Sequence, residues 1–364
     1  MKRIFFFWIL CAPLLGCCLT PASAADPDRS ASPAGQTNRP ATSHSLRRWI
    51  QFSGFQVATR NKFSQDDLNG SRVVISSLQY QAQIQGSLRI DSRGRYSIAA
   101  ALGTGSRFNS GWNRTGIGNG AHAYDFHARQ LSLDVRLKPW LEISTGGLGF
   151  VRNNSTDITS YNNNGYLTGH RISIRKPEQL FFDEVHLLAG YLGDFNDPSV
   201  FSRLDRMGHF NYYFLGFKKN LSPHISLSVD STQHADRQTL RQAVRIQVPG
   251  SRFFQEMTFE QYERYHPDTA YGFAWHLDHR FTRRLHLWGG FSAVDQNYGP
   301  WNSDRLGRGN RLFFVSSWEL LPDITVAVMG TCAFATPYPL LNHRRLDVVL
   351  GYNLLHSLHR MRWF

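Results

Sequence analysis

The sequence predicts an all-β fold: a transmembrane, antiparallel, up-and-down β-barrel of about 16 strands, within a range of roughly 14–18. Three observations predict it. Segments that alternate apolar and polar side chains recur from Trp49 to the last residue, turn-rich breaks separate these segments, and a secretory signal precedes them. The signal fits because barrels of this kind lie beyond the cytoplasm.

The clearest strand pattern runs from Tyr80 to Ile90. Its apolar positions share one parity, and they are Tyr80, Ala82, Ile84, Leu88 and Ile90. The other parity is polar, with Gln81, Gln83, Gln85, Ser87 and Arg89. Successive side chains of a strand point to opposite faces, so the segment has one apolar face and one polar face. Repeated along an exported chain, this pattern is typical of a wall with lipid outside and water inside.

Bulk composition agrees with this fold and argues against other classes of protein. The chain has 364 residues, of which 41% are hydrophobic, and a formal net charge of +13. After residue 25 no apolar run approaches the roughly 18–20 residues of a transmembrane helix. The 26 Phe, 14 Tyr and 9 Trp suit lipid-facing strands with interfacial aromatic girdles. In the cytoplasm the basic excess would suggest nucleic-acid binding, which the export signal argues against.

Residues 1–24 form the predicted signal peptide. Lys2 and Arg3 supply the positive start, and Ala22-Ser23-Ala24 is a small-residue cleavage site. The alternative is a lipoprotein signal, because Leu14-Leu15-Gly16-Cys17 resembles a lipobox. Ordinary cleavage would leave Cys332 as the remaining cysteine, so no internal disulfide is expected.

The rest of the chain divides into two predicted parts. Residues 25–46 are rich in Pro, Ser, Ala and Thr without periodicity, and we expect a disordered periplasmic lead-in. Residues 47–364 form the predicted outer-membrane β-barrel. Its sixteen strands are placed at 47–58, 79–91, 95–104, 127–137, 140–151, 166–175, 184–193, 208–218, 224–231, 238–248, 253–263, 270–279, 284–295, 310–320, 323–333 and 344–364.

The connections between these strands alternate in length. One set is short, at 91–95, 137–140, 218–223, 248–252 and 280–284. The other set is mostly longer and richer in Gly and Asn, at 59–78, 105–126, 152–165, 194–207 and 296–309. Short periplasmic turns that alternate with longer external loops are the expected asymmetry of a barrel with both termini in the periplasm.

With its export signal, alternating strands and aromatic C-terminus, the chain resembles bacterial outer-membrane barrels of the porin type over roughly residues 47–364. In those families the final strand ends in Phe and is recognised by the barrel assembly machinery, so Phe364 is the expected assembly signal. It shares parity with Leu346, Val348, Leu350, Tyr352, Leu354 and Leu358. Arg360 and Arg362 depart from the pattern, which a bulge near the strand end would repair. The resemblance implies outer-membrane lipid and the assembly machinery as partners, with a homotrimer as one option.

Parity also assigns charged side chains to the barrel interior. The basic candidates are Arg89, Arg136, Arg171, Arg175, Arg241, Arg245 and Arg280. The acidic candidates are Asp134, Glu142, Glu184, Asp230, Glu256, Asp278 and Asp347. Because the two sets are about equal, the positive excess is assigned mainly to turns and loops, Arg311 included. The predicted lumen is therefore mixed in charge, with at most a mild preference for anions.

Two groups among these residues are candidate sites. A periplasmic-end ring of structural ion pairs is predicted from Asp134, Arg136, Glu142, Arg175 and Glu184. Pore-lining candidates nearer the middle of their strands are Arg171, Arg241 and Arg245, with Asp230 and Glu256 on the same face. These arginines either contact a solute or line a wide polar lumen without selecting one.

The external loops carry weaker signals. The loop 153–165, with Asn162-Asn163-Asn164, is expected to be exposed to solvent. The segment 200–207 is predicted either to fold into the pore or to form an exposed lid. Asp194, Asn196 and Asp197 offer oxygen ligands of the kind that Ca²⁺ prefers, but such a site needs six or more. No metal and no cofactor are predicted.

Catalysis is not predicted either. His224 with Ser226, and His356 with Ser357, could supply a base and a hydroxyl. Parity places Ser226 in the lumen, however, and puts the two members of the second pair on opposite faces. No nucleophile, zinc or phosphate-loop motif occurs in the sequence.

The sequence therefore predicts a passive outer-membrane channel for small hydrophilic solutes. Two alternatives stay open. One is a substrate-specific channel or exporter for a sugar or an anionic polysaccharide. The other is a non-conducting barrel that acts as envelope scaffold, adhesin or lipid-hydrolysing enzyme. The strand number favours a channel, because about 16 strands leave an aqueous lumen whereas about 8 are filled by side chains.

Overall fold

Sixteen antiparallel strands close into a single barrel in the computed structural model, which confirms the predicted fold class and strand number. The structure describes residues 49–68, 70–103, 126–151, 153–154, 167–176, 180–193, 199–296, 309–336, 339–340 and 343–360. The predicted signal peptide and lead-in, the Asp194–Asp197 cluster and Phe364 lie outside these ranges.

The strands follow one another around the barrel in chain order. They are β1 (Ile50–Leu68), β2 (Ser71–Arg89), β3 (Tyr96–Gly103), β4 (His127–Lys138), β5 (Leu141–Leu148), β6 (Leu167–Arg175), β7 (Glu184–Leu192), β8 (Tyr212–Ser222), β9 (Ile225–His234), β10 (Arg237–Gln247), β11 (Glu256–His266), β12 (Ala270–Arg280), β13 (Leu285–Val294), β14 (Gly309–Leu321), β15 (Ile324–Ala333) and β16 (Arg344–Asn353). Two short helices are also described, α1 (Phe201–Leu204) between β7 and β8 and α2 (Leu354–Arg360) after β16. Pairing of β16 with β1 closes the barrel.

The two ends of the barrel differ in their connections. Tight turns, such as 139–140, 223–224 and 322–323, lie at the end where β1 begins and β16 finishes, and we call it the short-turn end. The opposite end carries the connections 104–126, 149–166, 193–211 and 295–308, and we call it the long-loop end. Three tight connections, at 69–70, 235–236 and 267–269, also lie there.

The predicted loop at 59–78 is wrong, because these residues extend β1 and β2 into a long hairpin. Each strand has 19 residues, and the pairs run from Ile50 opposite Leu88 to Leu68 opposite Ser71. On the outward face of β1 in this region, Phe63 lies among polar residues such as Asn61. The outward positions are therefore no longer consistently apolar, although the strand itself continues.

The predicted final strand 344–364 is also wrong at residues 354–360, which form α2. Asn353 pairs with Gln56, so the first residues of β1 extend past the end of β16, and α2 packs against β1. Ser357 in α2 donates a hydrogen bond of 2.7 Å to Asp323 in the β14–β15 turn. The chain therefore departs from the strand pattern before Arg360 by becoming helical, and no bulge in an extended strand is needed.

The two faces of the wall differ in chemistry, as alternation predicts. On β16, Leu346, Val348 and Leu350 are exposed on the outer face, whereas Arg345 and Asp347 are buried in the interior. The interior also holds two apolar clusters, one with Leu167, Leu188, Tyr212 and Phe214 and one with Tyr262, Ala274, Val294 and Phe313. Within the described ranges, neither helix has the length and apolarity needed to cross a membrane.

Candidate functional site

The candidate functional site is the polar interior of the barrel. Arg241 on β10 lies directly opposite Asp230 on β9, and its Nε is 2.5 Å from Asp230 Oδ1. The side chains are 3% and 0% exposed, so both charges are held inside the wall lining. A buried ion pair of this geometry neutralises its own charges locally. The two predicted pore-lining residues Arg241 and Asp230 are thus brought together.

The other predicted pore-lining residues are also near opposite charges, but they are less buried. Arg245 Nε lies 3.3 Å from Glu256 Oε1, with side chains 16% and 18% exposed. Arg171 Nη2 donates a 3.1 Å hydrogen bond to Ser144 and lies 3.9 Å from Glu142 Oε1.

The predicted ring of ion pairs is placed on β4–β8 near the short-turn end, with partners that differ in part from expectation. Arg136 and Glu142 approach to 3.7 Å. Glu184 lies in register with Arg175, but its closest basic contact is Lys218 on β8, at 3.3 Å. Asp134 lies on the same interior face, where Ser132 Oγ donates a long hydrogen bond of 3.4 Å to its Oδ2.

Sequence reasoning missed a set of buried basic residues in the interior. They are Arg60 and Lys62 on β1, Arg129 on β4, Arg264 on β11, Arg311 on β14 and Arg345 on β16. With Arg241, the described residues include seven basic side chains that are buried on the interior face. The four buried acidic counterparts there are Asp66, Asp230, Glu260 and Asp347. The predicted balance of interior charge is therefore wrong for the buried layer, where basic residues predominate.

The sequence contained part of the evidence that these residues face the interior. Arg60 and Lys62 fell within the segment that was predicted to be a loop, so they were not assigned a face. Arg311 was assigned to a loop, although it is the third residue of β14. Arg345 shares parity with Asp347, and the two form a bidentate pair with distances of 2.9 and 2.7 Å. Consistent use of parity would have found Arg345.

The connection between β5 and β6 enters the interior. Gly146 has φ +118°, a conformation that favours glycine, and a Cβ at this position would collide with the Leu131 carbonyl oxygen. Beyond it, the Phe150 ring packs 5.4 Å from that of Tyr212 on β8. The chain leaves the wall only after Leu148, the last residue of β5 that pairs with β6, and then crosses the interior.

Asn154 anchors this segment to the opposite wall. Its Nδ2 donates to Ser226 Oγ at 3.0 Å, and its backbone N–H donates to Ser228 Oγ at 3.1 Å. Both serines lie on the interior face of β9, four strands from β5. Asn154 is 1% exposed, so the expectation that the loop 153–165 is exposed to solvent is wrong at this residue. Residues 155–165 lie outside the described ranges.

The segment 200–207, by contrast, does not fold into the interior at its helical start. The Val200 N–H donates to the Ala128 carbonyl at 2.7 Å, and Thr168 Oγ1 donates to the Arg203 carbonyl at 3.1 Å. Thr168 shares the outward parity of His170 and Ile172, which are exposed. The start of this segment is therefore packed on the outer face, and the interior alternative is wrong there.

A strip of aromatic side chains lines the interior of β11–β14. Trp288 Nε1 donates to His276 Nδ1 at 2.9 Å, and the rings of Trp288 and Phe313 are 5.0 Å apart. An indole N–H can only donate, so His276 Nδ1 accepts and its Nε2 carries the proton. That Nε2 lies 3.2 Å from Glu260 Oε1, and Tyr262 donates to the other oxygen of Glu260 at 3.0 Å. The strip thus joins aromatic rings to a fixed carboxylate.

The His–Ser pairs have structural partners. Ser226 holds Asn154, and Ser357 donates to Asp323 and shares a 2.7 Å hydrogen bond with Tyr352. Within the described part of the chain, no group of three or more His, Cys, Asp or Glu side chains is arranged to bind a metal ion.

Comparison with known proteins gives a match in structure but not in sequence. No protein-family model matches the chain, and no curated protein matches it. Among solved structures, a triple mutant of Rhodopseudomonas blastica porin superposes with a TM-score of 0.52 at 10% sequence identity, covering 84% of this chain and 99% of that one. Another mutant of the same porin gives 0.51 at the same identity and coverage. The chain therefore shares the barrel fold of that porin.

Proposed function

We propose that the chain is an outer-membrane channel of porin type, through which small hydrophilic solutes diffuse passively. The observation that carries the proposal is the closed barrel of sixteen strands with an apolar outer face and a charged interior. Such an outer face is stable against lipid, and a barrel of this size encloses a lumen. The fold shared with a porin supports the same function.

The membrane orientation follows from the two ends of the barrel. Exposed aromatic residues occur at the short-turn end, among them Trp140, Phe253, Phe281 and Trp318. A second set lies at the long-loop end, among them Phe126, Tyr265, Tyr271 and Phe334. Two aromatic bands at the membrane surfaces are typical of such barrels. We place the short turns in the periplasm and the long loops outside.

The finer proposal is that the channel favours small anions. The buried interior layer holds three more basic than acidic side chains, seven against four, among the described residues. A lining of one predominant sign raises the local concentration of counter-ions. The inward segment around Asn154 narrows the path and brings solutes closer to this layer.

Single-channel recording in a planar bilayer under a KCl gradient tests both levels of the proposal. We expect discrete conductance steps and a reversal potential of anionic sign. Replacing Lys62→Gln together with Arg311→Gln should move the reversal potential toward zero. Arg72→Gln is the matched control, because Arg72 is exposed at the tip of the β1–β2 hairpin. Absence of conductance from folded barrels would overturn the channel, and a cationic reversal potential would overturn the selectivity alone.

A second candidate is a channel specific for a sugar or an anionic saccharide, and the aromatic strip on β11–β14 favours it. Aromatic faces stack on the apolar side of sugar rings, while the Glu260 carboxylate, 3.2 Å from His276 Nε2, offers a polar contact. In this case, saccharides added to the bilayer chamber should interrupt the ion current in a concentration-dependent manner. Trp288→Ala should abolish the interruptions while single-channel conductance persists.

A further inference from the structure

An apolar groove of about 580 Å³ lies on the outer face of the barrel across β12–β16. The side chains that form its walls are Trp275, Leu277, Leu287, Phe291, Leu312 and Cys332. All of them share the outward parity of their strands. The volume falls in the range of roughly 300–1,000 Å³ that is usual for ligand sites.

Two glycines create the depression. Gly289 on β13, Phe314 on β14 and Gly330 on β15 form one row of in-register residues on the outer face. The Phe314 ring lies over Gly330, and a Cβ at Gly289 would come within 2.7 Å of the Phe313 carbonyl oxygen. The floor of the groove is therefore backbone and one ring, while larger side chains rise on both sides.

The short-turn end of the groove is basic. Phe253 and His279 line it there, and the adjoining turns carry Arg252 and Arg283, both exposed. In the described part of the chain these two arginines form no ion pair with an acidic side chain.

The acidic residues at this end face the other way. Asp278 lies in the interior, 2.7 Å from His286, and Glu256 is paired with Arg245. Glu319 has the interior parity of Ser317, and Arg284 lies opposite it on the same face, where the Glu319 N–H donates to the Arg284 carbonyl at 2.8 Å. The outer rim at the mouth of the groove is thus a cluster of positive charge next to an apolar depression.

We propose that this groove binds an anionic phospholipid, with an acyl chain along Gly289 and the Phe314 ring and the phosphate at Arg252 and Arg283. The proposal rests on the membrane orientation given above, in which the short turns meet the periplasmic leaflet, the phospholipid leaflet of an outer membrane. An arginine near an anionic lipid surface strengthens binding by about fivefold. An apolar groove that opens onto such a rim matches both parts of this lipid.

Fluorescence quenching by brominated lipids tests the proposal in reconstituted barrels. Cys332 is labelled with bimane, which is selective because the other three cysteines lie in the predicted signal peptide. Vesicles contain either brominated phosphatidylglycerol or brominated phosphatidylcholine in the same non-brominated host lipid. We expect brominated phosphatidylglycerol to quench at concentrations about fivefold lower or more, and Arg252→Gln with Arg283→Gln to remove most of this preference.

Two matched controls separate the groove from general attraction of anionic lipid. Arg93→Gln with Arg95→Gln neutralises another short turn, distant from the groove, and should leave the preference intact. A label on Leu215→Cys in a Cys332→Ser background reports the outer face of β8, where we expect no preference. Three outcomes would each overturn the proposal: equal quenching by both lipids at Cys332, equal preference at both label positions, or a preference that survives Arg252→Gln with Arg283→Gln. Conductance is measured on the same barrels. Failure of the lipid proposal can then be distinguished from failure of the channel proposal.

Discussion

Arg241 on β10 and Asp230 on β9 face each other across one register position, with 2.5 Å between Nε and Oδ1, inside the barrel wall. Because both side chains are almost fully buried, the charge of each depends on the other. Arg245 and Glu256, with the same chemistry, keep part of their surface exposed. Of these two pairs, the second is therefore better placed to influence a passing ion.

Removing one member of the buried pair should lower the free energy of unfolding. We expect Asp230→Asn to destabilise the folded barrel by about 3–5 kcal/mol, since it leaves the Arg241 guanidinium buried without its counter-charge. Urea unfolding in detergent micelles, followed by tryptophan fluorescence, measures the change. The double variant Asp230→Asn with Arg241→Gln should lose less than the sum of the two single losses. Strict additivity would show that the two charges do not stabilise one another.

Glu256→Gln should increase the preference for anions. The change removes the carboxylate that lies 3.3 Å from Arg245 Nε, so less of the positive charge of Arg245 is compensated at the lumen. The reversal potential under a KCl gradient should move in the anionic direction. Glu263→Gln is the matched control on the same strand, because Glu263 lies on the outer face and accepts a hydrogen bond from Tyr265. An equal shift in both variants would place the effect outside the lumen.

Ser228→Ala should loosen the inward segment between β5 and β6. The change removes the acceptor of the Asn154 backbone N–H and leaves that buried donor unpaired. We expect larger current fluctuations in single-channel records and a higher mean conductance. Ser231→Ala, on the outer face of the same strand, is the control and should resemble the parent. Unchanged records for Ser228→Ala would mean that Asn154 does not hold the segment in the conducting path.

Most of the wall could be predicted from the sequence because strand alternation and the chemistry of its two faces coincide there. Where a strand lacks a consistently apolar outer face, the prediction of strand boundaries was wrong. The outward face of β1 beyond Ala58 mixes Phe63 with polar residues, so its alternation resembles a loop. After Asn353 the opposite ambiguity arises. Leu354 and Leu358 are four residues apart, a spacing that keeps side chains on one face in a strand and in a helix alike.

The interior partners were harder to predict than the faces. Parity placed Arg241 and Asp230 on one side, but which strand positions face each other depends on register, which a single sequence does not specify. The inward course of the chain at Asn154 depends on two serines four strands away. Neither relationship leaves a local pattern in the sequence.

Asp91 should make the β2–β3 turn sensitive to acid. The Tyr96 N–H donates to Asp91 Oδ1 at 3.0 Å and lowers the pKa of Asp91 below its ordinary value of 3.8. A lowered pKa in the folded state means that the ionised group stabilises folding above the unfolded value, and that this contribution is lost as pH falls through the folded value. Asp91→Asn should therefore be less stable than the parent at neutral pH, with a gap that closes in strong acid. Ser92→Ala, in the same turn, should keep the parental pH profile, and a constant gap for Asp91→Asn in urea unfolding across the acid range would contradict the argument.

Ser357→Ala should release α2 from the barrel without unfolding the strands. Ser357 is 2% exposed and holds Asp323 and Tyr352 through two hydrogen bonds of 2.7 Å, so its hydroxyl ties the helix to the β14–β15 turn and to β16. A helix of seven residues is too short to persist on its own in water. We expect faster hydrogen–deuterium exchange, confined to residues 354–360, measured by mass spectrometry on the folded barrel. His356→Ala serves as control because the His356 ring is exposed and lies 3.8 Å from Asp323. Exchange that stays slow in Ser357→Ala would show that packing against β1 alone holds the helix.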